Sequence, residues 1–210
     1  MESEKLAPEQ RNVFYKGGTE KPFDNAYWNN KKPGIYIDYL YLFEKIKKDF
    51  EQIILGGGCF WGMEAYYKKV KGITDTVVGY SGGNFKNPTY EDVCSGKTGH
   101  AETVLLTFNP EVIGLDRILK HFFKIHDPST LNRQGNDAGS QYRSAIYFFS
   151  DVQKNIIDTV VSKLKKEGIK ITTEIKKAAN FYKAEEYHQD YLTKNPGGYC
   201  HINLNKIWDF

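Results

Sequence analysis

The chain has 210 residues, enough for one well-packed catalytic domain with an appendage and too few for two such domains. Its 29 Lys and Arg against 26 Asp and Glu give a formal net charge of +3, which is too small to favour a nucleic-acid partner. The opening residues are polar and no later run approaches the roughly 18 apolar residues of a membrane span, so we expect a cytoplasmic protein without a membrane partner.

Residues 1–35 are rich in Gly, Pro, Asn and Lys and predict an arm with turns, and the spacing of apolar residues predicts a helix over 37–50. Beyond residue 51, short β-type runs alternate with helical patterns. Strands are predicted at 52–55, 73–83, 101–108, 143–150 and 170–178, and helices at 61–70, 89–96, 115–125, 151–167 and 184–195. The residues after 195 form an irregular tail.

Two of these helices carry specific signals. Leu119, Phe122 and Phe123 share one face of the helix at 115–125 and are bulky enough to anchor a core. Ser150 followed by Gln153 is a capping-box pattern that starts the helix at 151, and Gly168 ends it. Interleaved strands and helices predict an α/β or α+β sandwich. We expect the α+β form, a two-layer sandwich of helices on a small mixed sheet with a ferredoxin-like βα core.

The three cysteines, Cys59, Cys94 and Cys200, are too few and too scattered for a disulfide framework. Catalytic or buried thiols are the better interpretation. There is no C-x-x-C pair, no two histidines on successive helical turns, no phosphate loop and no dinucleotide fingerprint, so we expect neither a metal nor a cofactor.

Cys59 follows three glycines and precedes Phe60 and Trp61, in the turn between a predicted strand and a predicted helix. Unpaired N–H groups at a helix start favour an anion, and such positions lower a thiol pKa from about 8.5. We therefore expect Cys59 to be an ionised nucleophile, with Phe60 and Trp61 lining a small apolar pocket. The alternative is a buried cysteine among core aromatics, against which the flexible glycines argue.

Four blocks, GCFWGMEAYY, GYSGGNFKNPTYEDVCSGKTGHAE, HDPSTLNRQGNDAGSQYRSAIYF and EYHQDYLTKNPGGYC, resemble the type A peptide methionine sulfoxide reductases in the family's order, over residues 52–202. The resemblance implies reduction of methionine S-sulfoxide, free or in proteins, and hence repair of oxidised proteins. It implies that Cys59 attacks the sulfoxide sulfur and becomes a sulfenic acid, which condenses readily with a second thiol.

The resemblance also assigns the other site residues. Glu102 matches the proton donor, and burial among aromatics would raise its pKa; on its own it resembles an exposed charge at a strand end. Tyr90 and Tyr142 match tyrosines that hydrogen-bond the sulfoxide oxygen, although a tyrosine is more often a filler. Asp137 matches an acid that supports the site through water or a neighbouring hydroxyl, and is otherwise a turn residue.

Cys200, in a glycine-rich tail, matches the resolving cysteine that forms a disulfide with Cys59. Since no cysteine follows it, thioredoxin or a similar dithiol protein should reduce that disulfide directly. We expect Cys94 to be a buried packing residue, with a role as alternative resolver left open. The chain is expected to be a monomer.

The boundaries we expect are an N-terminal arm at 1–50 and the catalytic domain at 51–210. The arm resembles the opening segment of the unrelated type B reductases but lacks their catalytic block and cysteines. Its aromatics Phe23, Tyr27, Trp28 and Tyr36 favour a packing arm over a disordered tail.

Two rival functions remain open at this point. A binding module that reads sulfoxides would keep the pocket without turnover, and a thiol peroxidase would form the same sulfenic acid from peroxide. The first does not require nucleophile, acid and resolver together, and the glycines and aromatics favour an apolar substrate over peroxide.

Overall fold

The computed structural model describes residues 50–208. The larger elements in chain order are β1 (Glu51–Gly56), α1 (Phe60–Tyr67), β2 (Ile73–Ser81), α2 (Tyr90–Cys94), β3 (Ala101–Phe108), α3 (Leu115–Ile125), β4 (Arg133–Gln134), β5 (Asp137–Ala138), β6 (Ala145–Phe148), α4 (Asp151–Lys166), β7 (Glu174–Lys177), β8 (Phe181–Lys183) and α5 (Tyr191–Lys194). A short 3-10 helix at Ser140–Tyr142 precedes β6.

Six strands form one mixed sheet in the order β7-β6-β1-β3-β2-β8. Every neighbouring pair is antiparallel except β6 and β7, which run parallel. β4 and β5 form a separate two-stranded ribbon. Because β1 lies inside the sheet, between β3 and β6, the turn that follows it is anchored on both sides.

The apolar side chains of the strands divide between the two faces of the sheet. On one face Ile53, Leu55, Val104, Leu106 and Phe108 join a core with side chains of α1, α3 and α4. On the other face a smaller cluster contains Ile54, Ala145 and Tyr147. This alternation is what strands of period two produce when helices cover one face.

The helices at 115–125 and 151–166 follow their sequence signals. Phe122 and Leu119 of α3 are fully buried. Ser150 Oγ accepts a hydrogen bond from the Gln153 N–H at 3.2 Å, so the predicted N-cap is confirmed. The Gln153 side chain accepts from the Phe149 N–H instead of completing the reciprocal bond to residue 150.

The predicted helix over 184–195 is wrong for most of its length, because only Tyr191–Lys194 is helical. Gln189 explains the difference, since its side chain bonds the backbone N–H and carbonyl of Val78 at 3.1 and 3.0 Å. This pairing with β2 accompanies turns at 186–190, and Asp190 takes a left-handed conformation with φ 57°. The strand β8 was not predicted.

The predicted helix at 37–50 and the packing arm lie outside the described residues, apart from residue 50 at the helix end. Within residues 50–208, no helix combines the length and the apolar character that crossing a bilayer requires.

Candidate active site

Cys59 is the N-cap residue of α1, and Gly57 and Gly58 separate it from the end of β1 at Gly56. Gly58 has φ +90°, and a Cβ there would lie 2.8 Å from both Gln134 Cβ and His201 Nε2. The sequence therefore needs glycine at 58 for the backbone conformation and for the close approach of two side chains. The turn therefore places Cys59 at the start of α1.

The structure corrects the prediction that Cys59 is ionised. The residue is 7% exposed, and burial raises the pKa of its thiol well above the usual range, an effect that the Glu102 carboxylate would increase. The backbone N–H groups of Trp61 and Gly62 lower the pKa, as expected at a helix start, but by less. Desolvation outweighs the helix start here, so the resting form is a protonated thiol.

Glu102 is the second residue of β3 and is 2% exposed. Its Oε2 accepts a hydrogen bond from the backbone N–H of Phe60, the residue after the nucleophile, at 3.1 Å. This hydrogen bond lowers the pKa of the carboxyl, but burial has the larger effect and raises the pKa to about 8. Glu102 is therefore mostly protonated at pH 7. The predicted raised pKa is confirmed, and the interpretation as an exposed charge is wrong.

Tyr90 and Tyr142 both lie within electrostatic reach of Glu102. Tyr90 begins α2, and Tyr142 ends the short 3-10 helix. Burial raises the pKa of each phenol, with the Glu102 carboxylate as a further cause. Both hydroxyl groups therefore stay protonated at neutral pH and can act as hydrogen-bond donors.

Asp137 lies on β5 and is half-buried. Its Oδ2 accepts a hydrogen bond from the Tyr199 hydroxyl at 3.1 Å, which ties the residue before Cys200 to the β4–β5 ribbon. Its charge also raises the pKa of Cys59 and of Glu102. Asp137 therefore affects the protonation of the site and the position of the tail.

Phe60 and Trp61 differ in their surroundings. Phe60 is fully buried against Tyr80 and His188, with ring centroids 6.0 and 5.1 Å away. Trp61 is half-buried, stacks on Tyr191 at 3.7 Å, and donates its indole N–H to His188 Nδ1 at 3.1 Å. The two aromatic side chains after Cys59 are thus held rigidly, with Trp61 the more accessible.

Cys200 is half-buried in the tail, and its thiol donates to the Ile202 carbonyl at 3.2 Å. A Cβ added to Gly62 would lie 3.1 Å from Cys200 Sγ, so the thiol rests against the first turn of α1. Cys59, Cys94 and Cys200 are all free. The second thiol therefore lies next to the helix that begins at the first.

Among residues 50–208 there is no group of three His, Cys, Asp or Glu side chains placed to hold a metal ion. The site contains a buried thiol, a neutral carboxyl hydrogen-bonded to the residue that follows it, two phenol donors and a second thiol nearby. Such a set can attack an electrophilic sulfur, protonate its oxygen and form a disulfide.

Comparison with known proteins agrees with this chemistry. The family model described as peptide methionine sulfoxide reductase matches residues 51–209. A relative from Clostridium tetani named peptide methionine sulfoxide reductase MsrA is 52% identical over 161 residues, which cover 75% of this chain and 97% of the relative.

The chain belongs to the peptide methionine sulfoxide reductase family. Among solved structures, Mxr1 from Saccharomyces cerevisiae in its reduced form has a TM-score of 0.71 and 40% identity, covering 74% of this chain and 92% of that one. Mxr1 in complex with Trx2 has a TM-score of 0.50 and 33% identity, covering 69% and 86%. The protein is an oxidoreductase that reduces methionine sulfoxide by thiol chemistry.

One expectation about this reductase changes with the structure, and one residue is added to the site. Cys94 is exposed and not a buried packing residue, although its side chain hydrogen-bonds with Tyr90. Sequence reasoning also missed Glu185, the carboxylate that holds Tyr90. Glu185 accepts hydrogen bonds from the Tyr90 backbone N–H and the Tyr80 hydroxyl, both at 2.8 Å. Its only signal in the sequence is its place directly before the block EYHQDYLTKNPGGYC.

Proposed function

We propose that Cys59 attacks the sulfur of methionine S-sulfoxide, peptidyl or free, while Glu102 gives its proton to the sulfoxide oxygen. The supporting observation is the 3.1 Å bond from the Phe60 N–H to Glu102 Oε2, which places a mostly protonated carboxyl beside the nucleophile. The products are methionine and a sulfenic acid on Cys59.

The two raised pKa values suit a proton exchange within the site. As the oxygen passes from the substrate sulfur to the Cys59 sulfur, the substrate S–O bond breaks and the S–O bond of the sulfenic acid forms. Glu102 protonates the oxygen, and the Cys59 thiol proton replaces the one that Glu102 gave up. The Cys59 thiol loses its proton only after substrate has entered and taken the proton of Glu102. Before that, a Cys59 thiolate beside a Glu102 carboxylate would place two negative charges in a desolvated site, where they repel strongly.

The remaining site residues have binding roles in this proposal. The Tyr90 and Tyr142 hydroxyl groups donate to the sulfoxide oxygen as negative charge develops on it. Phe60 and Trp61 receive the substrate methyl group, for which their rigid packing is suited. Asp137 supports the site by holding the tail that carries Cys200, through the Tyr199 hydroxyl.

Cys200 then resolves the sulfenic acid, giving a Cys59–Cys200 disulfide and water. Its contact with the first turn of α1 supports this pairing, and no cysteine follows Cys200 within the 210 residues to relay the disulfide outward. Thioredoxin or a similar dithiol protein reduces the disulfide by exchange, in keeping with the Mxr1 complex with Trx2.

The catalytic domain in this proposal is 51–210, with 1–50 as an N-terminal extension, and the protein works as a cytoplasmic monomer. The family match at 51–209 supports the boundary. The antiparallel order β6-β1-β3-β2, with α1 between β1 and β2 and α3 between β3 and β6, supports a two-layer ferredoxin-like core.

Two cysteine variants test the reaction. Cys59→Ser should form no methionine from methionine S-sulfoxide with any reductant. Cys200→Ser should release one methionine per chain and then stall with thioredoxin as reductant. Repeated turnover by Cys200→Ser with thioredoxin would contradict the resolving role, and methionine formation by Cys59→Ser would contradict the whole scheme. Cys94→Ser serves as the control and should turn over like the parent protein.

A further inference from the structure

His201, the residue after Cys200, lies close to the turn that carries Cys59. Its Nε2 is 3.0 Å from the Gly57 carbonyl oxygen. The same nitrogen would be 2.8 Å from a Cβ on Gly58. The imidazole therefore packs directly on the two residues before the nucleophile.

The bond to Gly57 fixes the tautomer of this histidine. A carbonyl oxygen can only accept, so Nε2 carries the hydrogen and donates it, and in the neutral ring Nδ1 holds a free lone pair. Nδ1 is buried and has no hydrogen-bond partner within the described part of the chain. A buried acceptor that is left unpaired is costly and needs an explanation.

The free nitrogen faces the same surface as the resolving thiol. A Cβ on Gly62 would lie 3.4 Å from His201 Nδ1 and 3.1 Å from Cys200 Sγ, so both atoms rest on one face of the first turn of α1. The ring is also available as a base, because burial lowers the pKa of His201 and keeps it neutral at pH 7, against opposing effects of the Gly57 carbonyl and Asp137.

The thiol next to it needs a base. Burial is the largest influence on the Cys200 thiol and raises its pKa, and the charge of Lys69 lowers the pKa by less. A thiol must lose its proton before it can attack, since the thiolate is the nucleophile. The roles proposed for Glu102, Tyr90, Tyr142 and Asp137 do not include removal of that proton.

We propose that His201 is the general base that removes the thiol proton of Cys200 when Cys200 attacks the Cys59 sulfenic acid. The inference rests on the proposed function, since it acts on the intermediate defined there. The Cys200 S–H bond breaks and its proton goes to Nδ1; the S–S bond forms as the S–O bond of the sulfenic acid breaks. The imidazolium returns the proton to the leaving oxygen, which departs as water.

The test separates the two chemical steps in a single turnover without reductant, using the full chain and methionine S-sulfoxide. Methionine formation reports the first step, which also consumes the Cys59 thiol as the sulfenic acid. Loss of a second labelable thiol per chain, that of Cys200, reports disulfide formation. His201→Gln keeps an N–H donor for the Gly57 carbonyl but cannot accept a proton. We expect its methionine formation at the parent rate and its disulfide formation slowed by about 100-fold, the lower end of general-base effects.

Two further variants sharpen the result. Added imidazole should restore part of the rate of disulfide formation in His201→Ala. Asn203→Ala changes an exposed residue of the same tail and should behave like the parent protein. Disulfide formation at the parent rate in His201→Gln, or an equal slowing of both steps, would overturn the inference while leaving the proposed function in place. Absence of methionine in the parent protein would overturn the proposed function and this inference with it.

Discussion

The two thiols of the proposed reaction are held in different ways. Cys59 is placed by backbone, between an interior strand of the sheet and the start of α1. The tail that carries Cys200 is irregular, and it is held by hydrogen bonds from Tyr199 to Asp137 and from His201 to Gly57 and by the buried side chain of Ile202. Each such hydrogen bond contributes about 1 kcal/mol. Releasing the residues around Cys200 therefore costs less free energy than displacing the interior strand β1.

The difference matches the different tasks of the two sulfurs. The first must meet substrate in one geometry, with a protonated acid and aromatic rings already in place. The second must reach the first sulfur and later expose a disulfide to a reductant. A rigid first thiol and a releasable second thiol suit those steps. Variants that disturb the Cys59 site should therefore slow methionine formation, and variants that disturb the tail should slow disulfide formation.

The largest effect is expected when the acid beside the rigid thiol is neutralised. Glu102→Gln keeps an acceptor for the Phe60 N–H but has no proton to give, so methionine formation should slow by about 10²- to 10⁴-fold. In the parent protein the acid works in its protonated form, so the first-step rate should fall as pH rises through about 8, and this fall should be absent in the variant. Single-turnover methionine release across pH measures both.

Glu111→Gln, on an exposed residue, is the control and should keep the parent profile. A Glu102→Gln variant that retains the fall near pH 8 would show that another group titrates there.

A smaller effect should follow from disturbing the turn itself. Gly58→Ala puts a side chain at φ +90° and 2.8 Å from atoms of Gln134 and His201. Displacing the nucleophile by about 1 Å can cost about 100-fold in rate, and we expect methionine formation to slow to that extent. Gly197→Ala, where a Cβ meets nothing within 4 Å, is the matched change in the tail.

If Gly197→Ala slowed the first step as much as Gly58→Ala, the contrast between a rigid and a releasable thiol would fail. Circular dichroism and melting temperature of each variant separate a local effect from loss of the fold.

The smallest effect is expected at the tail. Tyr199→Phe removes one hydrogen bond to Asp137, worth about 1 kcal/mol, so disulfide formation should slow by about fivefold at most and methionine formation should not change. The same hydroxyl deletion at Tyr187, an exposed residue, should change neither step. A loss in the first step of Tyr199→Phe would show that the tail also shapes the substrate site.

Local patterns predicted the scaffold well and the long-range features poorly. The strand at 101–108 and the helix at 115–125 agree with prediction because their apolar periodicity is also their packing. The helix at 184–195 fails because Gln189 bonds to a strand more than a hundred residues earlier in the chain. No local pattern carries that contact.

The site shows the same division. The cysteines and Glu102 could be named from motifs. The high pKa of Glu102 could be predicted as well, because burying a carboxyl group disfavours its charged form. The state of Cys59 was predicted with the wrong sign, because the helix start is visible in the sequence and the degree of desolvation is not. The position of His201 depends on the tail folding back onto the Cys59 turn, which the residues around it do not indicate.

The most direct test of the account is a titration of the Cys59 thiol in a Cys94→Ser/Cys200→Ser double variant, followed by the ultraviolet absorbance of the thiolate without substrate. Burial beside Glu102 predicts a protonated thiol at pH 7, with ionisation only well above the usual value of about 8.5. A full thiolate signal at pH 7 in the free protein would contradict the account.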